Sequence, residues 1–165
     1  MNIWRGKDLA VINWQNGEQL MKKKSFTREE KQKRVDECNV IIKLIATHGR
    51  KFFNYEARGR RISNLLLGPQ DRVYFHDGYT LMLIYTHRRW CRWRGFSEGG
   101  TMKRWVEAFR DYITFGHKLN INAICQRGMG ENSGNIWGYS DEEAEKLINQ
   151  LSKLDAFNTE KQGSN

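Results

Sequence analysis

The spacing of apolar residues changes period twice along this chain, and this change constrains the fold more than any other sequence feature. Residues 28–47 carry an apolar stripe at helical spacing, residues 72–86 alternate with the period of strands, and residues 101–115 return to helical spacing. Strands that are consecutive in sequence and flanked by helices favour an α+β fold over alternating βαβ units. We therefore expect an antiparallel meander of three to four strands, packed against two to three helices.

The three predicted helices have clear boundaries. Thr27 with Glu30 and Ser140 with Glu143 form capping-box patterns, and Gly116 is a plausible stop for the middle helix. The first stripe consists of Val35, Cys38, Ile41, Ile42 and Ile45; the second of Met102, Trp105, Val106, Phe109 and Ile113; the third of Ala144, Leu147, Ile148, Leu151 and Leu154.

The predicted meander is built from residues 72–76, 79–86 and 92–96. Asp77-Gly78 is the signature of a two-residue hairpin turn, which would place His76 opposite Tyr79. Because side chains alternate along a strand, one face would carry Val73, Phe75, Met82, Ile84 and Phe96. The other face would carry Arg72, Tyr74, His76, Tyr79, Leu81, Leu83, Tyr85 and Trp93.

The two faces of this sheet have different expected roles. The apolar face is typical of a core, which the 101–115 helix would cover. The aromatic face leaves two alternatives open: the 28–47 helix covers it, or it stays exposed and stacks unpaired bases.

The length of 165 residues fits one domain. We expect a single α+β domain over residues 1–157 and a flexible tail over residues 158–165. The three cysteines are widely spaced, which favours a reducing compartment. No apolar run is long enough to cross a membrane and no signal-peptide core follows Met1, so we expect a cytoplasmic protein without a membrane partner.

Positive charge is concentrated in the middle of the chain. The formal net charge is +9, and residues 50–110 hold thirteen basic against five acidic residues. Arginines there alternate with aromatic residues, and a guanidinium can both bind phosphate and stack on rings. We therefore predict a nucleic-acid-binding set in which the cations are Arg58, Arg60, Arg61, Arg88, Arg89, Arg92 and Arg94, and the stacking rings are Tyr74, Tyr85, Trp90 and Trp93. The alternatives are contact with an acidic protein, and an ordinary basic surface whose arginines pair with the acidic last helix.

A second candidate site is the glycine-rich turn before the middle helix. Backbone N–H groups at a helix N-terminus can bind an anion, so we predict an anion site at Ser97, Gly99, Gly100 and Thr101. A tight strand-to-helix turn is the structural alternative. The histidines and cysteines show no zinc-ligand spacing, and no nucleophile motif or Walker loop is present. We predict no metal, no cofactor and no catalytic residues.

Two segments carry a resemblance to known proteins. The block from Arg92 to Thr101, continuing through Trp105 to Ile113, resembles small accessory proteins of tailed phages and prophages, and Trp137 to Glu143 is similar in style. The resemblance implies a setting in the cytoplasm of an infected bacterium. It carries no functional residues over to this chain.

These features lead to one preferred hypothesis and two alternatives. The preferred hypothesis is a nonenzymatic basic protein that binds DNA or RNA through its arginine and aromatic loops. The first alternative is an inhibitor that binds a host bacterial protein, such as a nuclease or a defence complex, by charge complementarity. The second is a binder of a small anionic nucleotide at the Ser97–Thr101 turn. The sequence leaves homodimerisation open.

Overall fold

The computed structural model describes residues 25–48, 53–55, 61–87, 101–124 and 140–158. The α+β class is as predicted. The described helices are α1 (Arg28–His48), α2 (Thr101–Phe115), the short α3 (Ile121–Ile124) and α4 (Asp141–Leu151). The strands are β1 (Asn54–Tyr55), β2 (Arg61–Ile62), β3 (Asn64–Leu67), β4 (Val73–His76) and β5 (Leu83–Tyr85).

The first helix begins at the predicted capping box. The Thr27 N–H donates to the Glu30 carboxylate at 2.8 Å, and the Glu30 N–H donates to the Thr27 hydroxyl at 3.2 Å. All five residues of the predicted stripe on α1 are buried. At its N-terminal end, Arg28 and Lys31 both bind Asp71, at 2.8 and 3.0 Å, which ties α1 to the turn between β3 and β4.

The middle stripe lies on α2 as predicted, whereas α4 ends at Leu151, so that Leu154 of the last predicted stripe lies beyond the helix. On α2, Val106, Phe109 and Ile113 are fully buried, and the chain leaves the helix at Gly116 with a φ of +76°, a conformation that favours glycine. On α4, Leu147 and Leu151 are fully buried.

The second capping box is only half formed. The Glu143 N–H donates to the Ser140 hydroxyl at 3.2 Å. The Glu143 carboxylate lies instead 2.5 Å from Nδ1 of His48 and 2.8 Å from Nζ of Lys146. This carboxylate therefore links the N-terminus of α4 to the C-terminal end of α1.

The contacts of Glu143 predict a loss of stability in acid. Hydrogen bonds from Lys146 and then His48 lower the pKa of the Glu143 carboxyl below its usual value. A lowered folded-state pKa adds stability at neutral pH, and this stability is lost as the pH falls through that pKa. We expect Glu143→Gln to flatten the acid side of the stability profile, measured as Tm from pH 7 down to about pH 3. An acid side as steep as that of the wild type would contradict this.

The strands form two antiparallel sheets. The first pairs β1 with β2, and the second has the order β3-β4-β5. The second sheet is an antiparallel meander of three strands, as predicted, and its first strand is not one of those predicted. Residues 64–67 form its first strand, whereas the expected strand at residues 92–96 lies outside the described residues.

The predicted two-residue turn at Asp77-Gly78 is wrong. Tyr74 lies opposite Tyr85 and His76 lies opposite Leu83, so residues 77–82 form the connection. The carboxylate of Asp77 is the reason, because it accepts from the N–H groups of Tyr79 and Thr80 and from the Thr80 hydroxyl, at 2.6–3.2 Å. The register moves by an even number of residues, so the predicted division into two faces holds for the residues of β4 and β5. It is wrong for Tyr79, Leu81 and Met82, which lie in the connection rather than in a strand, and Met82, predicted on the core face, is exposed.

The core lies between one face of the three-stranded sheet and the long helices. Leu65, Val73, Phe75 and Ile84 are buried on that face and belong to one cluster with the stripes of α1, α2 and α4. The α2 helix packs against β4, as expected for the 101–115 helix, and α1 packs against β3.

Two side chains of α1 bind the outer edge of β3: Arg28 donates to the Leu67 carbonyl at 3.4 Å, and Asn39 binds both backbone groups of Leu65. Asn39 accepts from the Leu65 N–H at 2.7 Å and donates to the Leu65 carbonyl at 3.0 Å. An unpaired strand edge is a template for unwanted association, and here the amide occupies it.

Candidate nucleic-acid interface

The face of the meander opposite the core carries two rows of cross-strand partners. Leu66, Tyr74 and Tyr85 form one row, and Asn64, His76 and Leu83 form the next. We call these six residues, together with Arg72, the tyrosine face.

The tyrosine face is open to solvent. Leu66 is 44% exposed and Leu83 is 55% exposed, while Tyr74 and Tyr85 are half-buried. The expectation that the 28–47 helix covers this face is wrong, because α1 packs with Leu65 on the other side of the sheet. Helix α1 therefore does not cover this face, and base stacking on it stays a prediction.

Two tyrosines and a guanidinium form the centre of this face. The rings of Tyr74 and Tyr85 have centroids 5.4 Å apart and an interplanar angle of 39°. The guanidinium carbon of Arg72 lies 5.4 Å from the centroid of the Tyr85 ring. This arrangement places aromatic surface beside a cation on an accessible sheet.

His87 extends this group by one more ring. Its centroid lies 5.5 Å from that of Tyr85. Burial, and then the nearby charge of Arg110, lower the pKa of His87 below its usual value. The imidazole is therefore mostly neutral at pH 7 and adds a flat ring rather than a charge.

Gly68 makes room for the Tyr74 ring. A Cβ atom at residue 68 would lie 2.5 Å from Cε2 and 3.0 Å from Cδ2 of Tyr74. No real Cβ contact is that short, so any larger residue would move the ring.

This contact predicts that Gly68→Ala displaces Tyr74 from its place on the face. The ring can swing outward, so we expect a loss of stability of about 1 kcal/mol, at the low end of the cost of overpacking. A change in the ring resonances of Tyr74 in an NMR spectrum, together with a small drop in Tm, would confirm it. Unchanged Tyr74 resonances would contradict it.

A second aromatic group lies at the loop between β4 and β5. Tyr79 is 62% exposed, and its ring centroid lies 4.7 Å from that of Tyr55 in an edge-on contact. Arg61 is the strand partner of Tyr55, and its carbonyl would lie 3.1 Å from a Cβ at Gly78. The β1–β2 hairpin therefore adjoins the end of the meander where His76 and Leu83 lie.

Arg61 and Arg72 lie beside these two aromatic groups, and neither guanidinium charge is used in an ion pair with a described residue. By contrast, Arg28 is bound to Asp71, and Arg110 is bound to Asp111 at 2.9 Å and to the Thr86 carbonyl at 2.8 Å. The pairing of arginines with the acidic last helix does not occur for Arg61 or Arg72.

The structure describes only some of the predicted site residues. Tyr74 and Tyr85 come together, and Arg61 lies with the second aromatic group. The predicted binding residues that lie outside the described residues are Arg58, Arg60, Arg88, Arg89, Trp90, Arg92, Trp93 and Arg94. Of the predicted anion site, Ser97, Gly99 and Gly100 also lie outside, and Thr101 is the first residue of α2.

Two neighbours of the tyrosine pair, Arg72 and Leu66, are absent from the predicted binding set. Arg72 was assigned to the aromatic face but not to the binding set, although its alternation with Tyr74 was the signal for it. Leu66 had no such signal, because its place beside Tyr74 depends on β3 pairing with β4.

Within the described residues, no group of three or more histidine, cysteine, aspartate or glutamate side chains could hold a metal ion. None of the described helices is both long and apolar enough to cross a membrane. Cys38 is a free cysteine in the core, where burial raises the pKa of its thiol.

Comparison with known proteins identifies the family. Residues 28–162 match the YoqU family. The chain belongs to the YoqU family. It is 29% identical over 132 residues to the "SPbeta prophage-derived uncharacterized protein YoqU" of Bacillus subtilis (strain 168), covering 79% of this chain and 88% of that protein. No solved structure matches the chain significantly.

The family relationship supports the phage setting that the sequence resemblance implied. The relative is prophage-derived by its own name. The matched residues begin at the first residue of α1 and include every described helix and strand. The tyrosine face therefore lies within the part of the chain that defines the YoqU family.

Proposed function

We propose that this protein is a small phage accessory protein that binds unpaired nucleic acid on the tyrosine face. The observation that carries the proposal is the partly buried pair of Tyr74 and Tyr85 beside Arg72, which forms no ion pair with a described residue. The proposed role is one of binding without catalysis, in the cytoplasm of the bacterial host.

The chemistry of this face suits unpaired bases. A base can stack on a half-exposed tyrosine ring whatever its identity, because every base has a π-face. Sequence-specific edge contacts are not required, so the preference for one sequence over another would be modest. A nearby guanidinium can hold a phosphate or stack on the next base.

The shape of the site favours single strands over duplexes. The tyrosine face lies on an open sheet rather than on a projecting helix of the kind that enters a major groove. Bases must leave their stack to reach the rings, and they do so at least cost when they are already unpaired.

The charge of the neighbouring sequence supports the same proposal. Residues 88–94 follow His87 directly and hold Arg88, Arg89, Arg92 and Arg94 with Trp90 and Trp93. Residues 56–60 join β1 to β2 and hold Arg58 and Arg60. Both basic segments are adjacent in sequence to described aromatic residues.

The decisive experiment is a titration of labelled oligonucleotides of equal length. Single-stranded DNA, single-stranded RNA and duplex DNA would be compared at increasing salt by fluorescence anisotropy. We expect the single strands to bind more tightly, with log K falling linearly with log salt by about 0.7 per phosphate contacted. Absence of binding at low salt, or affinity that is independent of salt, would overturn the proposal.

A host protein is the second candidate partner. The exposed Leu66 and Leu83 on the tyrosine face, and the exposed Leu81 and Met82 beside it, are apolar groups that a protein surface could cover. The test is a pull-down from nuclease-treated host lysate, with Leu83→Ser as the matched variant. A partner that survives nuclease treatment and is lost with Leu83→Ser would favour this candidate.

A further inference from the structure

The guanidinium of Arg34 is held in place by aromatic rings but has no hydrogen-bond partner. Its central carbon lies 3.5 Å from the centroid of the Phe26 ring and 5.4 Å from that of Tyr112. The Nη1 atom is buried and makes no hydrogen bond. Because Nη1 is closed off from solvent, a ligand would have to bind the other guanidinium nitrogens, which form no hydrogen bond with a described residue.

Arg34 lines a cavity of about 730 Å³ between α1, the end of α2 and the segment after α4. This volume lies within the range of small-molecule sites. Phe26, Tyr112 and Phe115 supply apolar walls, and Phe115 is 45% exposed. The tyrosine face is a separate surface, since none of its residues lines this cavity.

None of the described carboxylates around the cavity forms an ion pair with Arg34. Both oxygens of Glu37 are used, because one accepts from the Ala156 N–H at 3.0 Å and the other accepts from the Tyr112 hydroxyl. Glu30 accepts from the Thr27 N–H at 2.8 Å as part of the capping box.

Two lysines add to the positive charge, and one further carboxylate opposes it. Lys33 forms no ion pair with a described residue, and Lys118 donates to the Asp155 carbonyl at 2.6 Å. The Asp155 carboxylate also lines the cavity and has no partner among the described residues. Arg34 and Lys33 are therefore left as cations with open donors beside an aromatic wall.

We propose that this cavity binds a small oxyanion, a carboxylate or a phosphate, that is carried on a planar apolar body. The fork of a guanidinium matches the two oxygens of such a group, and stacking on Phe26 fixes its plane in advance. The aromatic wall would take the apolar part. This site is independent of the proposed nucleic-acid binding.

Binding of defined probes to the intact protein tests the site. Phenyl phosphate, benzoate, inorganic phosphate and phenol would be titrated by calorimetry. We expect phenyl phosphate or benzoate to bind more tightly than inorganic phosphate or phenol, because only these two combine an oxyanion with a ring. Whichever of phenyl phosphate and benzoate binds more tightly shows whether the site prefers a phosphate or a carboxylate. Binding of neither would overturn the proposal.

Two variants distinguish a role of Arg34 in ligand binding from a role in stabilising the fold. Arg34→Met keeps the stem that packs on the rings but removes the charge, and Arg104→Met is the matched control on the exposed side of α2. We expect Arg34→Met to weaken the binding of the tighter probe at least tenfold. It should not lower Tm, because it removes an unsatisfied buried donor. Arg104→Met should leave affinity unchanged. Equal affinity in Arg34→Met, or the same loss in Arg104→Met, would overturn the site.

A measurement on the wild-type protein covers the case in which Arg34→Met fails to fold. The Nε–H resonance of Arg34 should shift on saturation with phenyl phosphate or benzoate, while that of Arg104 should not. No shift of the Arg34 resonance at saturation would overturn the proposal.

Discussion

Replacing Tyr74 and Tyr85 together with alanine is expected to reduce affinity for single-stranded nucleic acid by more than an order of magnitude. Each base stacked on an aromatic side chain contributes about 1–3 kcal/mol, so the loss of two rings should cost about 2–6 kcal/mol of binding free energy. The same anisotropy titration measures it. The salt slope should change little, because neither ring contacts phosphate as a charge.

The control is the double variant Tyr74→Phe with Tyr85→Phe. It keeps both rings and removes only the hydroxyls, so it should bind almost as well as the wild type. Both rings are half-buried on the outer face, so the alanine variant should still fold, which a thermal melt can verify. If alanine and phenylalanine variants bind equally, stacking on this face is not the mode of recognition.

Replacing Asn39 with alanine is expected to cause the largest loss of stability among the polar substitutions considered. It leaves the N–H and the carbonyl of Leu65 without their partner on the outer edge of β3. Each buried backbone group without a partner costs about 1–3 kcal/mol, so the total is about 2–6 kcal/mol. Asn39 is only partly buried, which favours the lower half of that range because water can reach the edge.

Chemical denaturation measures this loss, and Val40→Ala is its matched control. Val40 is the next residue on α1 and is 47% exposed, so its truncation should change the free energy of unfolding by less than about 0.5 kcal/mol. Faster amide exchange at Leu65 in Asn39→Ala would locate the effect at the edge. Equal stability of the two variants would show that the Asn39 contacts contribute little.

Local pattern was sufficient for the bounds of α1 and α2, but it did not predict the short α3. The capping residues Thr27 and Glu30 and the stop at Gly116 act within one turn of chain, so sequence alone determines them. The bounds of α1 and α2 follow directly from these signals and from the apolar stripes.

Sheet pairing was less predictable, because it depends on contacts between distant residues. Asp77-Gly78 favours a tight turn locally. Two contacts stabilise a longer loop instead: the Asp77 carboxylate accepts from the Thr80 N–H, and the Gly78 N–H donates to the Ser63 hydroxyl at 2.8 Å. The membership of β3 in the sheet also depends on Asn39 of α1, which lies 26 residues away in sequence. The periodicity of apolar residues does not predict contacts between residues so far apart in the sequence.

The sequence by itself determined the α+β class, the three long helices and which residues of β4 and β5 share a face. These follow from apolar periodicity, which is a property of consecutive residues. Only the tertiary structure decided that α1 packs on the core side of the meander, so that Tyr74 and Tyr85 are only partly buried. It alone also placed Arg34 beside a cavity without a hydrogen-bond partner among the described residues. Both outcomes depend on which surfaces are buried when elements distant in sequence pack together. The free energy of that packing comes from contacts throughout the core rather than from any one segment.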